Sequence, residues 1–175
     1  MKWLSKLAIG VAFSMSLQSC TFSVPQAESA FQKIQSLAAV ESATDEVLWL
    51  ASYQGHGAVL KPYAVEGYTV FANDSGDAIA FDGWVVRSVL GFGLEQALTI
   101  SDDGWLRTSR TNQTRFSANC SEWQKGAVSK GYQWRQICGI NGHETVIYID
   151  ETGSISDIQQ AFGDNLGALT LKPWR

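Results

Sequence analysis

The chain has 175 residues, with 13 Lys+Arg against 17 Asp+Glu, 45% hydrophobic and 17% charged residues, the size and balance of one folded domain and not of a disordered tail. Its net charge of −4 excludes a generic electrostatic nucleic-acid binder, because neutralising phosphates takes clustered Lys and Arg. Two histidines and three cysteines, with no HExxH, paired CxxC, GxSxG, P-loop or GxGxxG string, leave no entry point for the common zinc, hydrolase or nucleotide chemistries, so neither metal nor cofactor is expected.

Residues 1–19 read as a signal peptide. Lys2 and Lys6 make a positive start, and Leu7 to Leu17 form an apolar stretch too short to span a bilayer stably. Leu17-Gln18-Ser19-Cys20 resembles a bacterial lipobox, with an aliphatic residue three before the cysteine and a small one just before it. An ordinary secretory signal with a stray cysteine is the plainer alternative. The lipobox reading implies cleavage before Cys20 and acylation of both its thiol and its new amine. Stable anchoring takes at least two chains at about 0.8 kcal/mol per buried methylene, so a triacylated cysteine holds the protein to a membrane without spanning it. Thr21, where inner-membrane lipoproteins usually carry Asp, points to the outer membrane and its periplasmic face. Removing two lysines and no acid takes the net charge from −4 to −6.

Residues 20–26 are expected as a tether, and 27–175 as a single mainly-β periplasmic domain. Ser23 with Gln26 three residues on resembles a capping box. Phe31, Ile34, Leu37 and Ala38 then recur at helical spacing, predicting one short amphipathic helix. Beyond Glu46 the pattern turns to short β-rich runs: Val47–Leu50, Ala58–Val65, Tyr68–Ala72, Ala78–Phe81, Trp84–Leu90, Trp105–Arg110, Arg115–Cys120, Tyr132–Cys138, Thr145–Ile149, Ile155–Phe162 and Leu169–Lys172. Turn chemistry separates them at Asn73–Asp77, Asp82-Gly83, Asp102–Gly104, Asn141-Gly142 and Glu151–Gly153. Leu94–Ile100 reads as a helical turn at a barrel end, and Ser121–Lys130 as a polar connection. The expected fold is an antiparallel meander forming a barrel-like or two-sheet domain.

With Cys20 lipidated, Cys120 and Cys138 form an even pair in an oxidising compartment. Alternation puts Phe116, Ala118 and Cys120 on one face, and Tyr132, Trp134 and Cys138 on one face. A structural disulfide is therefore expected, worth about 3 kcal/mol in the chain-entropy model. A redox dithiol lacks both CxxC and an adjacent histidine.

Asp82-Gly83-Trp84-Val85-Val86-Arg87 leads into Gly91-Phe92-Gly93, then the cysteine pair, then Ile147–Ile155 with its Asp150-Glu151-Thr152-Gly153 turn, Gln159-Gln160 and Leu169-Thr170-Leu171. This order resembles the YjbF/GfcB family of lipoproteins from exopolysaccharide and capsule operons, over roughly residues 46–174. Ser88-Val89, Ile149 and Asp157 depart from the family pattern. The resemblance implies a mostly β outer-membrane lipoprotein assisting polysaccharide secretion or assembly, with polysaccharide and export machinery as partners and no catalytic residues to carry over.

The titratable residues do not converge in sequence. His56 and His143 look like turn histidines without a local nucleophile. Asp102/Asp103 and Asp150/Glu151 are adjacent carboxylates within turns, and strand neighbours point to opposite faces. Asn73–Asp77 lacks calcium-loop spacing. No enzyme is expected. The residues best suited to a glycan are aromatic, because a sugar's C–H face stacks on a ring while amides and guanidinium groups satisfy its hydroxyls. Trp105, Arg107, Trp123 and Arg135 are the candidates, Trp134 being expected in the core and Trp174 less constrained. A half-barrel carrier of a lipid or acyl chain and a glycan-modifying enzyme are the alternatives.

Overall fold

The computed structural model describes residues 47–174. Cys20, the tether and the expected helix around Phe31–Ala38 lie outside the described residues.

Thirteen antiparallel strands form one sheet: β1 (Trp49–Tyr53), β2 (His56–Val65), β3 (Tyr68–Ala72), β4 (Ala78–Phe81), β5 (Val86–Leu90), β6 (Leu98–Asp102), β7 (Leu106–Arg110), β8 (Arg115–Asn119), β9 (Gln124–Val128), β10 (Gly131–Cys138), β11 (His143–Ile149), β12 (Ile155–Ala161) and β13 (Ala168–Pro173). The order β8-β7-β6-β5-β4-β3-β2-β1-β13-β12-β11-β10-β9 is a meander broken once, where β1 pairs with the final strand. The sheet curls into a half-barrel of two facing wings, β2–β8 on one side and β1 with β13–β9 on the other. No helix occurs among the described residues.

Two corners join the wings. At the first, β2 pairs with β1 through His56–Leu60 and with β3 through Lys61–Val65, so one bent strand serves both wings. At the second, the chain leaves β8 and crosses to β10. Cys120 N–H donates to Trp105 O (2.7 Å), Ser121 N–H to Ile137 O (2.8 Å), and Gly139 N–H donates to Asn119 O (2.9 Å). A strand that changes sheets at a bend is the ordinary way to turn such a corner. The Cys120–Cys138 disulfide closes it, with Cα atoms 4.0 Å apart, as the shared-face spacing predicts.

Alternation places the core. Register aligns Phe71, Ile79, Val89 and Leu98 across β3–β6, and Ile147, Ile158 and Leu171 across β11–β13. These side chains meet between the wings, all nearly inaccessible, together with Tyr53, Phe81, Phe92 and Phe162. Tyr53 packs edge-on against Phe92 and Phe162 at 6.5 and 5.8 Å, and its hydroxyl donates to Leu166 O at 2.5 Å. Phe92 lies between two glycines, and all three residues are left-handed, with φ of 78°, 52° and 75°. Asp77 Oδ1 accepts the Phe92 N–H at 2.7 Å and fixes this loop over the core.

Polar groups also bridge the wings. Gln160 of β12 behaves like a strand backbone toward β5: its Oε1 accepts Val86 N–H at 2.8 Å and its Nε2 donates to Val86 O at 3.2 Å. That amide is buried, while Gln159 lies on the opposite face of β12. Arg107 of β7 also points inward, 2% exposed. Its Nε donates to Asp102 Oδ2 at 2.6 Å, and its terminal nitrogens donate to Thr145 Oγ1 and Gln136 Oε1, each at 2.5 Å.

Three expectations need correction. Leu94–Ile100 is not a helical turn: Leu98–Asp102 is β6, with Leu98 and Ile100 alternating inward. The Ser121–Lys130 connection contains β9, an edge strand polar because solvent replaces a neighbour on one side. The two histidines are not turn residues. His56 opens β2, and His143 opens β11 with its ring edge-on to Phe116 at 4.7 Å and Nε2 2.9 Å from Asp164 Oδ1.

Candidate functional site, an aromatic rim at the second corner

Two tight turns meet where β8 crosses to β10. In the β4–β5 turn, Asp82 Oδ1 accepts the N–H groups of Trp84 (2.9 Å) and Val85 (2.7 Å). This Asx turn takes Trp84 out of the strand the sequence predicts from it and leaves the indole 45% exposed. In the β6–β7 turn, Asp102 Oδ1 accepts Gly104 N–H at 2.7 Å, while Asp103 Oδ1 accepts the N–H groups of Trp105 (3.0 Å) and Leu106 (2.7 Å). Those two backbone donors hold the Asp103 carboxyl below its ordinary range.

Side chains fasten these turns together. Arg87 pairs with Asp82 at 2.5 Å and donates to Asp102 O at 3.1 Å. Gln136 Nε2 donates to Gly104 O (3.2 Å) and to Ser121 O (2.9 Å) in the crossover. Beneath them, burial pulls the Arg107 guanidinium down from its usual value, while the charge and hydrogen bond of Asp102 oppose that shift.

On this frame sits a cluster of rings. The Trp84 indole lies 5.1 Å from Trp123 and 5.5 Å from Trp134, tilted to the first and edge-on to the second. Such geometry follows from the ring quadrupole. Trp123 and Trp134 are half-buried, and Trp123 also packs against the main core. Lys125 of β9 extends the cluster, its Nζ 3.8 Å from the centre of the Tyr132 ring and 5.8 Å from that of Trp134. The register explains this contact: Lys125 stands opposite Trp134, and Tyr132 lies one step along the same face of β10.

The candidates named from sequence fall into different places. Trp123 is in the cluster. Trp105 is 64% exposed on the neighbouring turn and makes no ring contact among the described residues. Arg107 is withdrawn into the interior, where no sugar hydroxyl reaches it, because β7 turns Arg107 and Ser109 inward together. Arg135 lies on the face of β10 opposite Trp134 and pairs with Glu144, which raises its guanidinium above the ordinary value. Sequence reasoning missed Trp84 and Lys125. The Asp82-Gly83 pair was the available signal for Trp84, since an Asx turn there holds Trp84 and Val85 in the turn and delays the next strand to Val86. The carboxylates of Asp102, Asp103 and Asp150 accept turn N–H groups, and Asn73 Oδ1 likewise accepts those of Ser75 and Asp77 at 3.0 Å.

The class the coordinates define is that of the fold, a mainly-β half-barrel of antiparallel strands. One solved structure of this architecture is that of the hypothetical lipoprotein YmcC from Escherichia coli (K12), with a TM-score of 0.51 and 10% identity over 82% of this chain and 87% of that one. The likeness is one of fold. No family model matches the sequence, and no curated protein matches it.

Proposed function

We propose that this chain is a lipid-anchored envelope protein, held by Cys20 at the periplasmic face of the outer membrane. There it assists secretion or assembly of an exopolysaccharide or capsule and catalyses no reaction itself. The aromatic rim is the observation that carries this reading. Two half-buried indoles support a third that is open to solvent, which is the arrangement that stacks on a sugar's C–H face. The lipobox at Cys20 and a shared fold with a protein titled a hypothetical lipoprotein support the anchored location.

The carrier reading is weaker on two counts. Large apolar side chains meet between the wings, and the Gln160–Val86 and Arg107–Gln136 bonds cross the space an acyl chain would need. The enzyme reading requires two free carboxylates about 5–10 Å apart in a cleft, whereas those near the rim cap turns or pair with arginines.

Two experiments test the proposal. Cys20→Ala is expected to move the protein from the membrane pellet to the soluble periplasmic fraction with its far-ultraviolet spectrum unchanged. Recovery of that variant with outer membranes refutes the anchor. For the rim, titrating the full lipoprotein in detergent micelles with a neutral hexasaccharide is expected to shift tryptophan emission. Trp84→Ala should weaken the affinity about tenfold, the loss of one stacked ring. Equal affinity of the variant, or an emission spectrum that no saccharide changes, refutes the glycan role.

A further inference from the structure

The charges around the rim narrow the kind of glycan. Three arginines of the surrounding strands each have a carboxylate: Arg87 beside the rim has Asp82, Arg107 beneath it has Asp102, and Arg135 on the opposite face of β10 has Glu144. Lys125 does not. Among the described residues no carboxylate lies within ion-pairing distance of its Nζ, which rests instead over the Tyr132 ring and near Trp134. Lys125 is exposed on the edge strand β9, with no neighbour on its outer side to hold its stem.

We infer that the rim is selective for an acidic glycan, a uronic acid or other carboxylated sugar, with Lys125 as the residue that reads the charge. This rests on the glycan role proposed for the rim. A neutral sugar settling on Tyr132 must displace the ammonium and lose the cation–π contact without replacing it. A carboxylated sugar offers the ammonium a charge-assisted hydrogen bond just above the ring. The lysine then swings off the aromatic face as the ring stacks, so one movement opens the platform and binds the anion. The net negative charge of the chain makes a local cation the more necessary, since long-range attraction does not favour a polyanion here.

The test compares hexa-galacturonate with maltohexaose, titrated by calorimetry into the full lipoprotein in detergent micelles at low and physiological salt. The acidic oligomer is expected to bind about tenfold tighter, with a preference that shrinks as salt rises. Lys125→Gln should bring the two affinities together, weakening the acidic oligomer and tightening the neutral one by up to a few-fold, since no cation–π contact is then lost. Equal binding of both oligomers by the native protein overturns the charge selectivity and leaves the rim's glycan role standing. A Lys125→Gln variant that keeps the preference overturns the role of that residue. Failure of both oligomers to bind overturns the selectivity and the glycan role together.

Discussion

Replacing Arg107 with methionine is expected to lower the unfolding free energy by about 3–5 kcal/mol, the usual effect of removing one member of a buried ion pair. The guanidinium has three partners in the interior: Asp102, Thr145 and Gln136. Methionine fills much of the volume but leaves the Asp102 carboxylate, 6% exposed, with no compensating charge. For a chain of this length that corresponds to a fall in Tm on the order of 10 °C, measurable by circular dichroism with the disulfide intact. Adding Asp102→Asn to that variant should restore part of the loss, because the stranded charge is then gone. A single variant within 1 kcal/mol of the native protein would show that the pair contributes little.

The second large effect is expected at Gly131, the first residue of β10. Its φ is 115°, and a β-carbon there would sit 2.0 Å from Ile149 O and 2.9 Å from the Asp150 carbonyl carbon. Both contacts are backbone, so no side chain can rotate away. Strain in the dihedral and overpacking each cost about 1–3 kcal/mol, and Gly131→Ala should therefore destabilise by about 4 kcal/mol. Because β9 is an edge strand, part of the relief should come from its detachment, giving faster amide hydrogen exchange in Gln124–Val128 than in the core strands. Gly104→Ala is the control, with φ of 93° and open space around the added carbon. It isolates the dihedral cost, and equal losses in the two variants would refute the clash at Gly131.

Strand pattern was readable where both faces had a consistent environment. Tyr68–Ala72 and Ala78–Phe81 match the structure residue for residue, since Phe71, Ile79 and Phe81 alternate with small residues. The cysteine pairing followed from the same period of two. Reading failed at margins. Gln124–Val128 has little apolar content, so nothing in its composition separates it from a loop until Tyr132–Cys138 supplies a partner. Leu98–Asp102 was obscured by Leu94, which gives the segment a false helical spacing.

The rim shows the same division. Trp123, a glycan candidate by residue type, lies half-buried in the cluster, whereas Trp84 reads from sequence as a strand residue because the reach of the Asp82 side chain is a three-dimensional property. The inward turn of Arg107 was not legible. Leu106, Thr108 and Arg110 face outward on β7 while Arg107 and Ser109 face in, so polarity on that strand is nearly the reverse of burial. Such inversions arise where a buried charge has its partner on another strand, here Asp102 across the hairpin.

The disulfide at the second corner has a mechanical consequence. It fastens the far margins of the sheet to each other, while β2 serves as the spine on the opposite side. The two wings are thus covers held by a clasp, and they cannot swing apart to admit a large guest. The ribbon of Gln124–Val128 that carries Lys125 is the outer edge of its wing, paired on one side alone. Accommodation of chains of different thickness would then be a matter of that ribbon tilting against β10, with the interior packing left undisturbed.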